Sequence, residues 1–367
     1  MTTARDDRPP GRRLALSVVH PSSPTLRVRY RQGVLMGPYG YPDWLLCARV
    51  VVELPAPDPK LTVDEVRVLD VLAANLAMAR AAGTPDGDPL WPALPAGSAG
   101  RAVATPAGWC WAHVGPTDPP TAHEPARRLA LVPADLHGVF RHGGGVGRLP
   151  ATGRGLRYST VERPIGPGRA EPVPIDVVEM TDRLTGWPLP GAYRRFLAAT
   201  NGAGPMAPAV SPRFGFVADQ PLFGLGRPDP HQDLVLATHW LRDRFMPDLL
   251  PIGYVQGGLL AVKVAGDDVD SIWYWDDDDP RDREDFDARY ICAHLLHRCA
   301  DSIDALWAEL VPPPDWLIQY ASHWVDHGML GQVRDPGLGA GLPGRYRGPG
   351  AASATRPDQL TPLFEAV

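Results

Sequence analysis

Two short apolar runs near the middle of the chain have the pattern of β-strands. Residues 109–114 alternate large apolar side chains, residues 128–132 form a second apolar run, and a proline-rich stretch separates the two. Strands joined by a loop are the expected structure. Pro133 then ends the second strand and suits the first turn of a helix, which the glycines at 143–145 would end. The pattern predicts a strand-loop-strand-helix unit.

A longer pattern with the helical period precedes this unit. Thr62 and Glu65 have the spacing of a capping box, and one stripe of apolar residues follows: Val66, Leu69, Val71, Leu72, Leu76 and Met78. We expect an amphipathic helix that ends at Gly83 and packs on a core, without a part in any chemistry. Further upstream, residues 26–36 alternate in polarity and residues 44–54 are mostly apolar.

The C-terminal half combines helix and hairpin signals. Pro190 lies at the start of a helical stretch over 191–200, and Asn201-Gly202 supplies a left-handed stop. Residues 259–264 and 271–275 alternate as paired strands across a turn at 266–270. The fold class predicted for the whole chain is therefore α+β, with an antiparallel sheet and packed helices in this half.

Changes in composition set the expected domain boundaries. Pro, Gly and Arg are frequent in residues 1–25, 150–175 and the end of the chain. We expect a disordered N-terminus at 1–25, a first domain at 26–149, a linker at 150–175, a second domain at 176–311, and a mostly disordered tail at 312–367 that begins with one short helix.

Charge divides the chain, which has 367 residues and a formal net charge of −6. Counted from the sequence, residues 1–150 have a net charge of about +3 and residues 181–311 of about −8. The first part would tolerate a polyanion, whereas the second would repel one. The four cysteines, Cys47, Cys110, Cys292 and Cys299, have no zinc-ribbon or disulfide spacing, and no apolar run is long enough for a signal or membrane segment. We expect a cytoplasmic protein without membrane contact.

Three histidines fall in the strand-loop-strand-helix unit: His113, His137 and His142. Imidazoles grouped beside a strand and a helix could form a small metal site. His142 follows His137 by five residues, so the two side chains lie on one side of the helix only if the helix stops at His142. The alternative is that the histidines only pack and hydrogen-bond in a core.

The runs TPAGWCWAH and LALVPADLHGVFRHGGGV resemble the Trp-His-His group of HNH/endonuclease VII nucleases. The resemblance covers residues 26–149 and implies a ββα-metal domain that cuts DNA or RNA. It makes His113 the general base and His137 and His142 the ligands of one divalent cation, which could be Mg, Mn, Ni or Zn. The sequence departs from the family pattern at Ala112, where the family has a further histidine ligand. His123 or Glu124 could replace that ligand.

The runs TDRLTGWPLPGAYRRFLAATNGAGP, DLLPIGYVQGGLLAVKVAGDDVDSIWYWDDDDP and CADSIDALWAEL resemble the SUKH superfamily, which is common among bacterial immunity proteins. This resemblance covers residues 176–311 and implies a protein-binding module. Its acidic cluster, Asp276, Asp277, Asp278 and Asp279, lacks the alternating spacing of a calcium loop. We expect a solvated acidic edge that could also meet a basic protein partner.

Both resemblances indicate a bacterial toxin-immunity protein, and two functions stay open. In the first, the N-terminal module is a metal-dependent nuclease that the SUKH module inhibits or connects to a partner. In the second, the nuclease fold is degenerate at Ala112, and the SUKH surface neutralises a toxin by binding it. The protein partner is accordingly either a toxin or the chain's own nuclease domain.

Overall fold

The structure of the protein is a computed structural model. The structure describes residues 16–20, 23–31, 34–36, 42, 44–46, 48–82, 90–91, 94, 102–115, 127–139, 153–156, 164–169, 171–186, 188–241, 244–279, 281 and 287–333. The first elements are β1 (Leu16–His20), β2 (Ser23–Arg31), β3 (Val34–Met36), β4 (Val50–Leu54), α1 (Val63–Ala81), β5 (Trp109–His113), β6 (Arg127–Pro133) and α2 (Ala134–Val139).

The later elements complete an α+β fold. They are α3 (Ile175–Thr185), α4 (Gly191–Thr200), β7 (Ala209–Val210), β8 (Val217–Ala218), α5 (Leu234–Trp240), β9 (Leu249–Val255), β10 (Gly258–Lys263), β11 (Ile272–Asp276), α6 (Ala288–His294), β12 (Leu296–Ala300), α7 (Ile303–Glu309), α8 (Asp315–Asp326) and β13 (Gly331–Val333). Among the residues that the structure describes, no helix is both long and apolar enough to cross a bilayer.

The N-terminal unit is built on a four-stranded antiparallel sheet in the order β13-β4-β6-β5, with α1, α2 and α8. The strands β5 and β6 and the helix α2 follow one another in ββα order, which confirms the predicted strand-loop-strand-helix unit. Side chains alternate across the sheet, as a strand period of two requires. Trp109 and Trp111 of β5 face the core that contains α1, whereas Cys110 and Ala112 face the other side.

The helix α1 begins at the predicted capping box. The Thr62 side chain accepts from the Glu65 amide, and the Glu65 carboxylate accepts from the Thr62 amide. The expectation of a one-sided amphipathic helix is wrong, because Arg67, Asp70 and Asn75 are buried together with the apolar stripe. The sheet, α8 and the C-terminal unit surround α1 between them.

Two predicted boundaries differ from the structure. Residues 312–333 are not a tail: α8 packs on α1, and β13 pairs with β4 in the register Gln332 to Val52, so the chain returns to complete the N-terminal unit. Residues 16–20 and 23–31 form β1 and β2 of a small three-stranded sheet, although a disordered segment was expected up to residue 25. The pairing of β13 with β4 has no local sequence signal, because the two strands lie far apart in the chain.

The C-terminal unit, residues 171–311, contains a second antiparallel sheet in the order β12-β11-β10-β9 with helices packed on it. The predicted hairpin is confirmed as β10 and β11, in which Gly258 pairs with Asp276 at one end and Val262 pairs with Ile272 at the other. The predicted helix is confirmed as α4, which ends at Asn201 with φ of 50°. The two units share one hydrophobic core, since Cys110, Ala112 and Val132 cluster with side chains of β9, β10 and β11.

Candidate functional site

A narrow cleft lies where α1, β5 and α2 of the N-terminal unit meet the C-terminal unit. Its volume is about 10 Å³, which is at the lower limit for one water molecule. Its walls are Arg67, Val71, Trp111, His113 and His137 on one side and Gln256, Gly257, Asp277 and Asp278 on the other. The structure therefore brings His113 and His137 to one cleft, and the C-terminal unit closes it.

His113 is the last residue of β5 and points toward α1. Its Nε2 atom is 2.9 Å from Oδ2 of Asp70, and the Arg127 guanidinium donates to the same carboxylate oxygen. The imidazole is 10% exposed, whereas Asp70 is fully buried. A carboxylate bound to one ring nitrogen fixes the orientation and the tautomer of an imidazole. The arrangement is suited to a histidine that exchanges a proton through its other nitrogen.

His137 lies on α2 and is buried. Its Nδ1 atom is 3.2 Å from Oδ2 of Asp277 in the C-terminal unit, and its ring centroid is 5.1 Å from that of Trp44. Burial lowers the pKa of His137, but the neighbouring Cys110 sulfur and the Asp277 carboxylate raise it, and the balance is a raised pKa. Burial raises the pKa of the Cys110 thiol, so this sulfur is protonated and uncharged at neutral pH. We therefore assign the raised pKa of His137 to the Asp277 carboxylate. The predicted ligand is thus part of an ion pair between the units.

The described residues do not form a metal site. No group of three His, Cys, Asp or Glu side chains with suitable geometry occurs within the described ranges. Ala112 faces the shared core, so the position of the missing family ligand holds a methyl group. His142, His123 and Glu124 lie outside the described residues. With His137 paired to Asp277, the described side chains do not fit a divalent cation.

The acidic cluster is not the solvated edge that the sequence predicts. Asp276, Asp277, Asp278 and Asp279 are 2–7% exposed. The Arg67 guanidinium donates from Nη2 to Asp276 Oδ1 at 2.9 Å and from Nε to Asp278 Oδ2 at 3.0 Å. Three of the four carboxylates therefore face the chain's own N-terminal unit, while Asp279 pairs with Arg281.

Arg67 and Asp70 are site residues that the sequence interpretation missed. Both lie on α1, to which we had given only a packing role. A signal was present in the sequence: Asp64, Arg67 and Asp70 recur every three residues and so share one face of the helix. Charged residues in line within an otherwise apolar helix indicate buried ion pairs, and Arg67 also contacts Asp64 at 3.2 Å.

Polar side chains of the C-terminal unit also close the free edge of β5. Gln220 accepts from the Gly108 amide at 3.1 Å and donates to the Trp109 carbonyl, while Gln256 accepts from the Trp111 amide at 2.9 Å. These amide groups take the place of a neighbouring strand, because an edge strand otherwise leaves its N–H and C=O groups unpaired. The contact fixes β5, and with it His113, against the C-terminal unit.

Comparison with protein families assigns the two units. The family model described as SMI1 / KNR4 family (SUKH-1) matches residues 174–306. The C-terminal unit is a SUKH module. A second model, described as a nuclease of the HNH/ENDO VII superfamily with conserved WHH, matches residues 101–149. Both predicted resemblances are confirmed, the nuclease one over residues 101–149 of the predicted 26–149, and the WHH match includes His113, His137 and Ala112. No curated protein and no solved structure matches the chain significantly.

Proposed function

We propose that this protein is a toxin-immunity protein whose SUKH module binds the nuclease-type segment of its own chain and holds it closed, so that the intact protein does not cleave nucleic acid. The observation that carries this proposal is the pair between His137 and Asp277 in a cleft of about 10 Å³. A phosphodiester is larger than a water molecule and cannot enter this space. The proposal selects the chain's own nuclease domain as the partner, rather than a separate toxin.

The contacts of the acidic cluster support the chain's own nuclease domain as the partner. A separate basic partner would need Asp276, Asp277 and Asp278 to be accessible, but Arg67 and His137 already occupy them. A toxin from another chain would have to bind a different face of the SUKH module. Location in the cytoplasm stays a prediction from the sequence, in keeping with the free thiols of Cys110, Cys292 and Cys299.

A second candidate function is a nuclease that acts once the cleft opens. The contact between His113 and Asp70 favours it, because a degenerate site has no need for an oriented imidazole. His113 would accept a proton from the attacking water, as a positioned general base does. HNH nucleases typically depend on a divalent cation, but the described side chains do not fit one, so we assign no step to a metal.

The test is an assay of the whole chain on plasmid DNA and total RNA with Mg, Mn, Ni or Zn. The whole chain is needed because a fragment that stops at residue 149 lacks β13 and α8, which complete its sheet and cover α1. We expect no cleavage by the intact protein and the same result for His113→Ala. Cleavage that His113→Ala abolishes would contradict the closed state.

Opening the cleft separates the two candidates. Asp277→Asn removes the charge that faces His137, and Asp279→Asn is the matched control, since it removes an equal charge from a carboxylate that pairs with Arg281. Cleavage by Asp277→Asn alone, lost again when His113→Ala is added, would favour an inhibited nuclease. A folded but inactive Asp277→Asn protein would favour a degenerate nuclease fold.

A further inference from the structure

Two arginines converge on one carboxylate, and one of them, Arg67, lines the cleft of the proposed base. Arg67 Nη2 lies 2.9 Å from Asp276 Oδ1, and Arg154 donates to the other oxygen, Asp276 Oδ2. Arg67 is 1% exposed, and its side chain forms a wall of the same cleft as His113. The two guanidinium groups therefore bind one carboxylate, and one of them, that of Arg67, lines the cleft that also contains His113.

The arrangement is the one that arginines use for phosphate. The guanidinium fork matches carboxylate and phosphate oxygens equally well, and two forks can bind two oxygens of one tetrahedral group. On the N-terminal side of the cleft, the carboxylate of Asp64 is the group that balances them, at 3.2 Å from Arg67 and 3.3 Å from Arg154. Without the SUKH carboxylates, two cationic groups would face one anionic group, which leaves a net positive charge at the Arg67 wall of the cleft.

The SUKH turn supplies the anionic groups from the other side. Asp276 and Asp278 both contact Arg67, at 2.9 and 2.8 Å. Burial by itself lowers the pKa of Arg67, but the carboxylates of Asp276 and Asp278 raise it by a larger amount. The pKa of Arg67 therefore lies well above its ordinary value. The guanidinium is charged throughout the physiological range and needs anionic partners in this buried position.

We propose that Arg67 and Arg154 form a binding site for a nucleic-acid phosphodiester and that Asp276 and Asp278 of the SUKH module occupy this site as phosphate mimics. This inference rests on the proposed function, because it explains how the SUKH module keeps the nuclease-type segment closed. It adds two residues that the family match does not assign and names the backbone phosphate as the group that they would bind. Arg67 lies outside the matched residues 101–149, and so does Arg154.

The test measures binding without cleavage. The whole chain and its variants are titrated against a fluorescently labelled DNA oligonucleotide by anisotropy, in EDTA and without added metal. Asp276→Asn leaves Arg154 with Asp64 as its remaining ion-pair partner and leaves Arg67 paired with Asp278 and Asp64, so this variant keeps the buried guanidinium compensated. The double variant Asp276→Asn/Asp278→Asn removes both SUKH carboxylates and leaves Asp64 shared between the two arginines. Circular dichroism and urea unfolding identify the variants that are folded.

Asp279→Asn is the matched control, because it removes the same charge from the same acidic cluster but leaves the ion pairs of Arg67 and Arg154 in place. We expect Asp276→Asn to bind the oligonucleotide about tenfold tighter than Asp279→Asn does, the size of one charged hydrogen-bonding contact. This gain should shrink between about 50 and 200 mM salt. Adding Arg154→Gln to Asp276→Asn should restore the affinity of the control.

Two results would overturn the inference: a folded Asp276→Asn protein that binds no tighter than Asp279→Asn, or tighter binding that persists after Arg154→Gln. These outcomes are independent of the cleavage assay. If the intact protein cleaves DNA, the closed state fails, and the binding comparison still reports on the anion site.

Discussion

Buried polar side chains hold the two units together at the scale of single residues. Arg67 contacts three carboxylates, of which Asp276 and Asp278 belong to the SUKH module and Asp64 to α1. A buried guanidinium is costly unless its donors are paired, so this network favours one relative position of the units over others. The sequence indicates that these residues are charged. It does not indicate that they meet, because Arg67 and Asp276 are 209 positions apart.

Asp219 should make the stability of the protein depend on pH. It accepts from the Thr105 amide at 2.9 Å and from Gln256 at 3.2 Å. Burial raises its pKa from the ordinary 3.8 to about 6, although these hydrogen bonds lower it. Between these two values the folded protein binds more protons than the unfolded chain, so the free energy of unfolding falls as the pH rises through this window.

The measurement is urea unfolding of the wild type and of Asp219→Asn at several pH values across that window. We expect the stability of the wild type relative to the variant to fall by up to about 3 kcal/mol from the low to the high end, as a shift of two pKa units implies. Above the window the difference should be constant. A difference that is flat or rises with pH inside the window would show that Asp219 does not titrate as proposed.

At the scale of elements, the local pattern predicts structure well where near neighbours decide it. The capping box of α1, the ββα order of β5, β6 and α2, and the left-handed end of α4 all depend on residues within a few positions of one another. The local pattern does not predict a strand that completes a sheet formed by distant segments. The strand β13 has only three residues and no distinctive pattern, and its partner β4 lies about 280 positions earlier.

The close approach of α2 to β9 gives a test of the contact between the units. A Cβ atom at Gly138 of α2 would lie 2.2 Å from Cε1 of Tyr254 in β9. Alanine is about 1 kcal/mol better than glycine inside a helix, so Gly138→Ala would stabilise an isolated α2. We expect a net loss of about 1–3 kcal/mol instead, because the methyl group overpacks the interface. Urea unfolding measures this change.

Gly191→Ala is the matched control, since a Cβ atom at this first residue of α4 would meet its nearest neighbour at 3.7 Å, an ordinary contact. It should change the stability by less than about 1 kcal/mol. Combining Gly138→Ala with Tyr254→Leu should recover part of the loss, because the smaller side chain makes room. If Gly138→Ala is as stable as the wild type, α2 does not pack against β9 as described.

At the scale of the whole molecule, the two units do not behave as independent domains on a linker. The hydrophobic core that contains the SUKH sheet also contains Cys110, Ala112 and Val132. The described residues of the predicted linker contact both units: Thr62 donates to the Gly155 carbonyl, and the Ile165 amide donates to the Leu310 carbonyl. Separating the units would therefore expose apolar surface and break ion pairs together.

We accordingly expect the intact protein to unfold in one cooperative transition. Differential scanning calorimetry should give a single peak whose calorimetric and van't Hoff enthalpies agree, the criterion for two-state behaviour. Two separated transitions would contradict a shared core and would indicate that the SUKH module folds independently of the N-terminal unit.

The sequence by itself determined the α+β class, the two family resemblances, the hairpins and the major helices, and it placed His113 and His137 in one unit. These features depend on the hydrophobic period, on caps and on short motifs, which are interactions between residues that are near in the chain. Only the tertiary structure decided that Asp277 meets His137, that Arg67 lies between the units, and that α8 and β13 return to the first sheet. Such contacts depend on the packing of distant segments, which no local pattern encodes.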